Sequence, residues 1–427
     1  VEERNAGKMP KICRIPIRMF LFHITLPVRG IIFGEQHLAT KIGVGLSDHE
    51  RGYECGREAA REALATLRGN TISLALLFTS HPEPSQVLRG VNETLGQVSL
   101  IGATSAGQYS HKGYVEHGTG VMLIQSEQIQ FHPTAYQRRL LGGRRLLGKL
   151  HGTSKEGLGS AYNHRTLFLF PDDRSMNLDG VVDRAMTETG MLYDILGGPG
   201  PTTHAPPRPP AVFYNNRVFQ AGLSGAEILS QTPLGLAFAN GWTPLSGPYR
   251  VTHADERRVI KIDGRPAWEV YEDFLHEHRI SYTDEKTLKS VLLHHPIGIC
   301  ESGDCKVSVL MGFDETGALI TTSPPQVGRL IHILSTQTDA MVTAAKRAVQ
   351  EALQQVSSQP KAGALFIDCM STGWVLDEAY PQQRDAVQQC IGAAPFLGFR
   401  SHGVLVRLQG QIAGHYECSV ATCVLPG

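Results

Sequence analysis

Four residues late in the chain are of types that do chemistry and fall where neighbouring strands would end: Asp368, Cys369, His402 and His415. A cysteine beside a histidine forms a thiolate nucleophile, and either side chain ligates haem iron. His402, His415 and Cys369 therefore carry a haem reading, and Cys369 with a histidine carries an enzyme reading. With 18 histidines in the chain, chance proximity is easy, and the plain alternative is that each is a core or surface residue. There is no nucleophile elbow, no Walker loop, no His-Glu-x-x-His and no CxxCH for covalent haem attachment. No catalytic residue is assigned, and an enzyme is not expected.

Cys300 and Cys305 have the same spacing as Cys418 and Cys423, which suits two pairs of zinc ligands. An odd step along a strand turns Cys418 and Cys423 to opposite faces, so buried free thiols are the alternative, and no metal centre is expected.

The remaining polar candidates sit in glycine-punctuated bends. Gly102-Ala-Thr104-Ser105-Ala-Gly107 and Gly398-Phe-Arg400-Ser401-His402-Gly403 align on their first glycines, and Gly197-Gly198-Pro-Gly200 is a looser third copy. In open α/β sheets ligands gather beyond the carboxyl ends of strands, where glycine permits close approach and small polar side chains hydrogen-bond the guest. Gly102, Thr104, Ser105, Gly107, Asp368, Cys369, Gly398, Arg400, Ser401, His402 and Gly403 are the candidate ligand-binding set. The alternative is that the glycines only serve tight turns.

The elements needed to position these bends are legible as strand and helix patterns. Lys41–Ser47 and Ile72–Thr79 read as strands, the second apolar throughout and so buried on both faces. Tyr53, Gly56, Ala60, Ala63, Leu64 and Leu67 share one helical face, and Gly69-Asn70 closes that helix. Val87–Leu95 is a helix and Val98–Ile101 the strand entering the first bend. Gly120–Gln125 and Ile129–Phe131 suggest a hairpin, and Arg138–Leu150 a basic, apolar helical segment. Thr166–Phe170, Leu178–Thr189 and Tyr193–Leu196 repeat strand, helix, strand. Pro199–Pro210 is a proline-rich loop. Ala267–Leu275, Asp339–Val356 and a segment around Glu378–Cys390 read as helices. Ala362–Asp368 and Pro395–Leu397 are strands, with a terminal pair at Val404–Leu408 and Tyr416–Leu425.

The order helix, strand, helix, strand, bend, hairpin occurs over 50–124 and again over 339–425, and Ala75-Leu-Leu-Phe-Thr-Ser80 parallels Ala364-Leu-Phe-Ile-Asp-Cys369. The expected fold is α/β, with mixed sheets and flanking helices, in two lobes built on this duplicated unit with a cleft between them. Residues 1–40 read as an unstructured leader or mis-assigned start, 41–264 as the N-terminal lobe and 265–427 as the C-terminal lobe.

Bulk properties agree with a folded protein. The 427 residues are 41% hydrophobic and 19% charged, and 40 basic residues balance 40 acidic ones, which gives no support to nucleic acid or an anionic membrane as partner. No apolar run is long enough for a membrane span, and the dispersed cysteines suggest a reducing, cytoplasmic setting.

The chain resembles the FIST family, with both its N-terminal and C-terminal regions. The resemblance rests on Lys41-Ile-Gly-Val-Gly-Leu-Ser47, Ala75-Leu-Leu-Phe78, Ile101-Gly102-Ala-Thr-Ser-Ala-Gly107 and Phe238-Ala-Asn-Gly-Trp242. It continues through Val251-Thr252-His-Ala, Asp263-Gly264-Arg-Pro266-Ala-Trp-Glu-Val-Tyr271, Ala364-Leu-Phe-Ile-Asp-Cys369, Gly398-Phe399-Arg-Ser401-His-Gly403 and His415-Tyr-Glu-Cys-Ser-Val. The resemblance implies a bacterial, non-enzymatic sensory protein that binds a small molecule, an amino acid or related metabolite. A haem-binding nitric-oxide sensor acting on a histidine kinase is the alternative it implies. With no kinase, cyclase or receptor output segment recognisable here, the signal would pass to a separate partner of one of those kinds. Family members commonly carry an arginine where this chain has Ser371-Thr-Gly-Trp374, and a glutamate where Val404 follows Gly403; Arg400 is the candidate to replace the missing positive charge.

Overall fold

The computed structural model describes residues 40–427 apart from 68–70, 138–145, 155–156, 158–159, 175, 205–206, 256, 302 and 324. The leader, the Gly69-Asn70 stop and most of the basic segment at 138–150 lie outside the described residues.

The first unit runs β1 (Lys41–Ser47), α1 (Gly52–Ala65), β2 (Leu74–Thr79), α2 (Pro84–Leu95), β3 (Leu100–Thr104), β4 (Gln108–Ser110), β5 (Gly113–Val115) and β6 (Thr119–Gln125). Small buried residues on α1, among them Ala59, Ala60 and Ala63, let it lie close to the sheet, Gly56 makes room for the Val87 carbonyl of α2, and Pro84 opens α2 where no intrahelical N–H is needed. The second unit has β7 (Ile129–Gln137), β8 (His164–Pro171), α3 (Leu178–Glu188) and β9 (Asp194–Gly197). It continues through the small pair β10 (Thr203–His204) and β11 (Pro207–Arg208), then β12 (Val212–Tyr214), β13 (Arg217–Phe219) and β14 (Gly222–Ser230).

After β15 (Gly235–Ala239) the chain makes an inserted body with a sheet of its own. It comprises β16 (Thr243–Ala254), β17 (Arg258–Ile262), β18 (Arg265–Pro266), α4 (Ala267–Glu277), α5 (Glu285–His294), β19 (Ile297–Glu301), β20 (Asp304–Ser308), β21 (Leu310–Phe313), β22 (Leu319–Thr321) and β23 (Leu330–Ser335). These strands form one eight-stranded sheet, and α4 and α5 cover a core around Trp268, Tyr271 and Phe274. The third unit then resumes with α6 (Thr338–Gln355), β24 (Lys361–Cys369), α7 (Met370–Leu376), α8 (Tyr380–Ile391), β25 (Phe396–Ser401), β26 (Val404–Arg407), β27 (Gly414–Tyr416) and β28 (Val420–Pro426).

The units share one strand order. β1-β6-β2-β3, β7-β14-β8-β9 and β15-β28-β24-β25 each hold an antiparallel pair, a second antiparallel contact and a closing parallel pair. The duplicated unit expected from sequence is therefore present, and the looser bend at Gly197 belongs to a third unit of the same design.

The short hairpin after each bend pairs with another unit's sheet. β4-β5 extends the third sheet through β25, β26-β27 extends the second through β9, and β12-β13 extends the first through β3. This exchange explains two departures from the sequence reading. Thr119–Gln125 and Ile129–Gln137 form no hairpin with each other, because β6 lies in the first sheet and β7 in the second. The terminal strands likewise part: β26 pairs with β27 and β9, while β28 runs in the third sheet.

The inner faces of the three sheets meet in one core. Phe78 stacks on Phe399 with centroids 3.6 Å apart, and Phe170 meets them edge-on at 5.1 and 5.9 Å. The outer faces pack under α1 and α2, α3, and α6 with α8.

Candidate functional site

The carboxyl ends of the parallel strand pairs converge, and a cleft of about 600 Å³ opens there. Ser80 and His81 follow β2, Ser105 and Ala106 follow β3, Thr202 follows β9, Met370 and Trp374 lie on α7, and Arg400 stands at the end of β25. Backbone hydrogen bonds tie the bends in a ring. Ala106 N donates to Arg400 O at 2.8 Å, His402 N to Pro199 O at 3.0 Å, and Thr104 N to Ala211 O at 2.9 Å. Each bond joins two different units, so the cleft belongs to all three.

Arg400 is the built feature of its wall. One guanidinium nitrogen donates to Met370 O at 2.9 Å, another to Tyr114 Oη at 3.2 Å, and the group lies 5.0 Å from the Tyr380 ring centre. Nε is buried with no hydrogen-bond partner among the described residues. A Cβ at Gly373 would come within 2.4 Å of the same guanidinium, so glycine there makes room for it. Acidic Asp48, Glu50 and Glu116 also line the cleft, together with Arg208 and His117, so both signs of charge face the space.

Behind this wall lies a polar cluster. Asp368, the strand-register neighbour of Arg400, is fully buried and accepts from Tyr380 Oη at 2.7 Å and Gln383 Nε2 at 3.0 Å. Burial raises its carboxyl to about 6, against the opposing pull of Tyr380 and Arg400.

Of the ligand-binding candidates, Ser105 and Arg400 line the cleft. Gly102 lies inside β3, where an added Cβ would sit 1.8 Å from Leu77 O at φ +155°. Thr104 bonds the Ala211 backbone through its hydroxyl, and Ser401 bonds Gly403 O at 2.5 Å and Asp368 O at 3.3 Å. Gly107 and Gly398 accommodate the Tyr114 and Tyr109 side chains, and Gly403 turns at φ +82° against His415. Asp368 and Cys369 are buried behind the wall. The residues after β2 were not among the sequence candidates. The signal that finds them is the parallel partner: a bend after β3 implies a second strand end beside it.

His402 belongs to a separate ionic group. Nδ1 lies 3.1 Å from Asp173 and Nε2 3.6 Å from Glu417. Burial opposes its charge, but the two carboxylates outweigh it and push the imidazole up to about 10. Glu417, itself fully buried, also accepts from Val309 N at 2.8 Å and Thr322 Oγ1 at 2.5 Å, so it joins the inserted body to the three-sheet body. His415 is buried and donates from Nε2 to His402 O at 2.7 Å.

These positions do not fit haem ligation. An iron ligand needs a neutral imidazole lone pair on an open face, whereas His402 is held protonated between carboxylates and His415 is enclosed. Cys369 is buried, and desolvation raises its thiol away from the thiolate a nucleophile or iron ligand requires. Zinc held by four cysteines also falls, because Cys300 and Cys305 are joined in a disulfide across the β19-β20 hairpin while Cys418 and Cys423 are free.

No helix among the described residues is long and apolar enough to cross a membrane. Residues 73–265 match the FIST N domain and residues 267–404 the FIST C domain. An uncharacterized protein of Mycobacterium tuberculosis strain H37Rv is 23% identical over 404 residues, covering 88% of this chain and 96% of the relative. One from Mycobacterium bovis is 21% identical over 408 residues, covering 90% and 99%. Read with the converging strand ends, the two matches place the chain in the FIST family of sensory domains.

Proposed function

We propose that the protein is a non-enzymatic sensor that binds a small zwitterion, an amino acid or a related metabolite, in the cleft at the repeat bends. The observation that carries this reading is Arg400. It is a half-buried guanidinium on the cleft wall, fixed by Met370 O and Tyr114. A preorganised guanidinium suits a carboxylate, and the acidic residues of the same cleft suit an ammonium group. Arg400 reaches over Gly373, at the segment where family members commonly carry an arginine, which supports its role as the replacement charge.

Calorimetric titration of the full chain with a panel of α-amino acids tests the reading. At least one should bind, and Arg400→Met should weaken it at least tenfold, with Arg400→Lys intermediate. Silence across the panel, or affinity indifferent to Arg400→Met, would sink it.

The buried, protonated Cys369 thiol supports a role without covalent catalysis. The bound state would be read by a separate signalling protein, with a histidine kinase, cyclase or receptor as the candidate classes. A cytoplasmic setting is supported by the five free cysteines among the described residues, with the Cys300–Cys305 disulfide weighing the other way.

A further inference from the structure

On the outer face of the second sheet, His132 of β7 and Glu227 of β14 are register partners on adjacent strands. His151, from the loop before β8, lays its ring on that of His132 with centroids 3.8 Å apart and planes 18° apart. One donor atom from each of the three residues lies within 4.8 Å of the others.

We propose that His132, His151 and Glu227 form a divalent-metal site of the zinc class that pins the 146–154 loop to the second sheet. Two imidazoles and one carboxylate are a donor set that zinc takes readily, leaving a fourth position for water. Ring stacking alone explains the histidine pair but leaves a cost unmet. His132 Nε2 is buried with no hydrogen-bond partner among the described residues, and leaving a buried polar atom unpartnered disfavours the fold. A metal ion would occupy that lone pair.

The carboxylate is oriented as a ligating carboxylate is. Glu227 accepts from His151 N at 2.8 Å, Gly152 N at 2.9 Å and Tyr193 Oη at 2.5 Å, and these donors hold it in place. His151 Nδ1 lies 3.1 Å from Glu227 Oε2, and His151 is exposed, so its ring has freedom to close the site to metal-ligand distances of about 2.0–2.2 Å.

Zn²⁺ titrated calorimetrically into the metal-stripped full chain tests the site, with thermal unfolding as a second readout. Saturating Zn²⁺ should raise the unfolding midpoint of the parent protein. His151→Gln, on an exposed side chain, should weaken the zinc affinity at least thirtyfold and abolish the stabilisation. His132→Gln should do the same while the circular dichroism spectrum stays that of the parent. Absence of zinc binding by the parent would overturn the proposal, as would tight binding that survives either substitution. Co²⁺ supplies an independent mark: intense visible bands of a four-coordinate ion are expected in the parent, and bands unchanged in His151→Gln would place the metal elsewhere.

Discussion

At the residue scale the ionic group around His402 makes the most definite statement. Its pKa is raised from the ordinary imidazole value to about 10 by Asp173 and Glu417. A raised folded-state pKa contributes stability that is fully present below about 6.5 and is lost as pH climbs through about 10. His402→Gln should therefore destabilise the protein at pH 6 by about 3 kcal/mol, chiefly by leaving Glu417 buried without its cation. The gap between parent and variant should shrink steadily toward pH 10.5. Urea denaturation at pH 6, 8 and 10.5 measures it, and a gap that stays constant with pH would show that packing, not charge, is what His402 provides. His402 was readable as a reactive side chain from its place in the bend. Its partners were not, because Asp173 comes from a different unit and Glu417 sits beside the inserted body, and neither adjacency leaves a trace in local spacing.

At the scale of elements, continuous apolar runs such as Ala75–Phe78 and Ala364–Ile367 announce central strands because both faces are covered, one by the shared core and one by helices. The helix Glu285–His294 is far less visible, since Leu292 is its one fully buried residue and Leu288, Val291 and Leu293 pack inward only in part. The hairpin pattern misleads for a physical reason: a local turn predicts a local partner, whereas here the strands after each bend also pair with another unit's sheet. The bend glycines carry the sharpest test. At Gly102 a side chain would meet the Leu77 carbonyl of the parallel neighbour, while at Gly96, with φ +73°, nothing lies within 4 Å. Gly102→Ala should cost more than about 3 kcal/mol, as backbone must move, and Gly96→Ala only about 1 kcal/mol from its positive φ. Equal losses in paired thermal and chemical denaturation would contradict the view that Gly102 serves close strand approach.

At the scale of the whole molecule the question is where the chain can be cut. The two FIST matches meet between residues 265 and 267, close to the division expected at residue 264. Across that division β17 and β18 pair directly, with Lys261 opposite Pro266 and Ile262 opposite Arg265. The inserted body offers a different seam, since Thr243 and Ser335 are register partners and its chain ends emerge side by side. We propose that the division at 264 separates two sequence regions, and that the folding units are the body at 243–335 and the three sheets around it. A fragment of residues 41–264 loses Leu365, Ile367, Leu397 and Phe399 from the shared core and leaves two inner sheet faces exposed. It should melt without cooperativity and bind a hydrophobic dye. A fragment of residues 243–335 keeps the Trp268, Tyr271 and Phe274 core entire and should unfold in one cooperative transition. It gives up Glu417 as acceptor for Val309 and Thr322, so its midpoint should fall below that of the same body in the full chain. Should residues 41–264 unfold cooperatively while 243–335 does not, the seam lies at 264 and the three-sheet exchange is not what holds the molecule together.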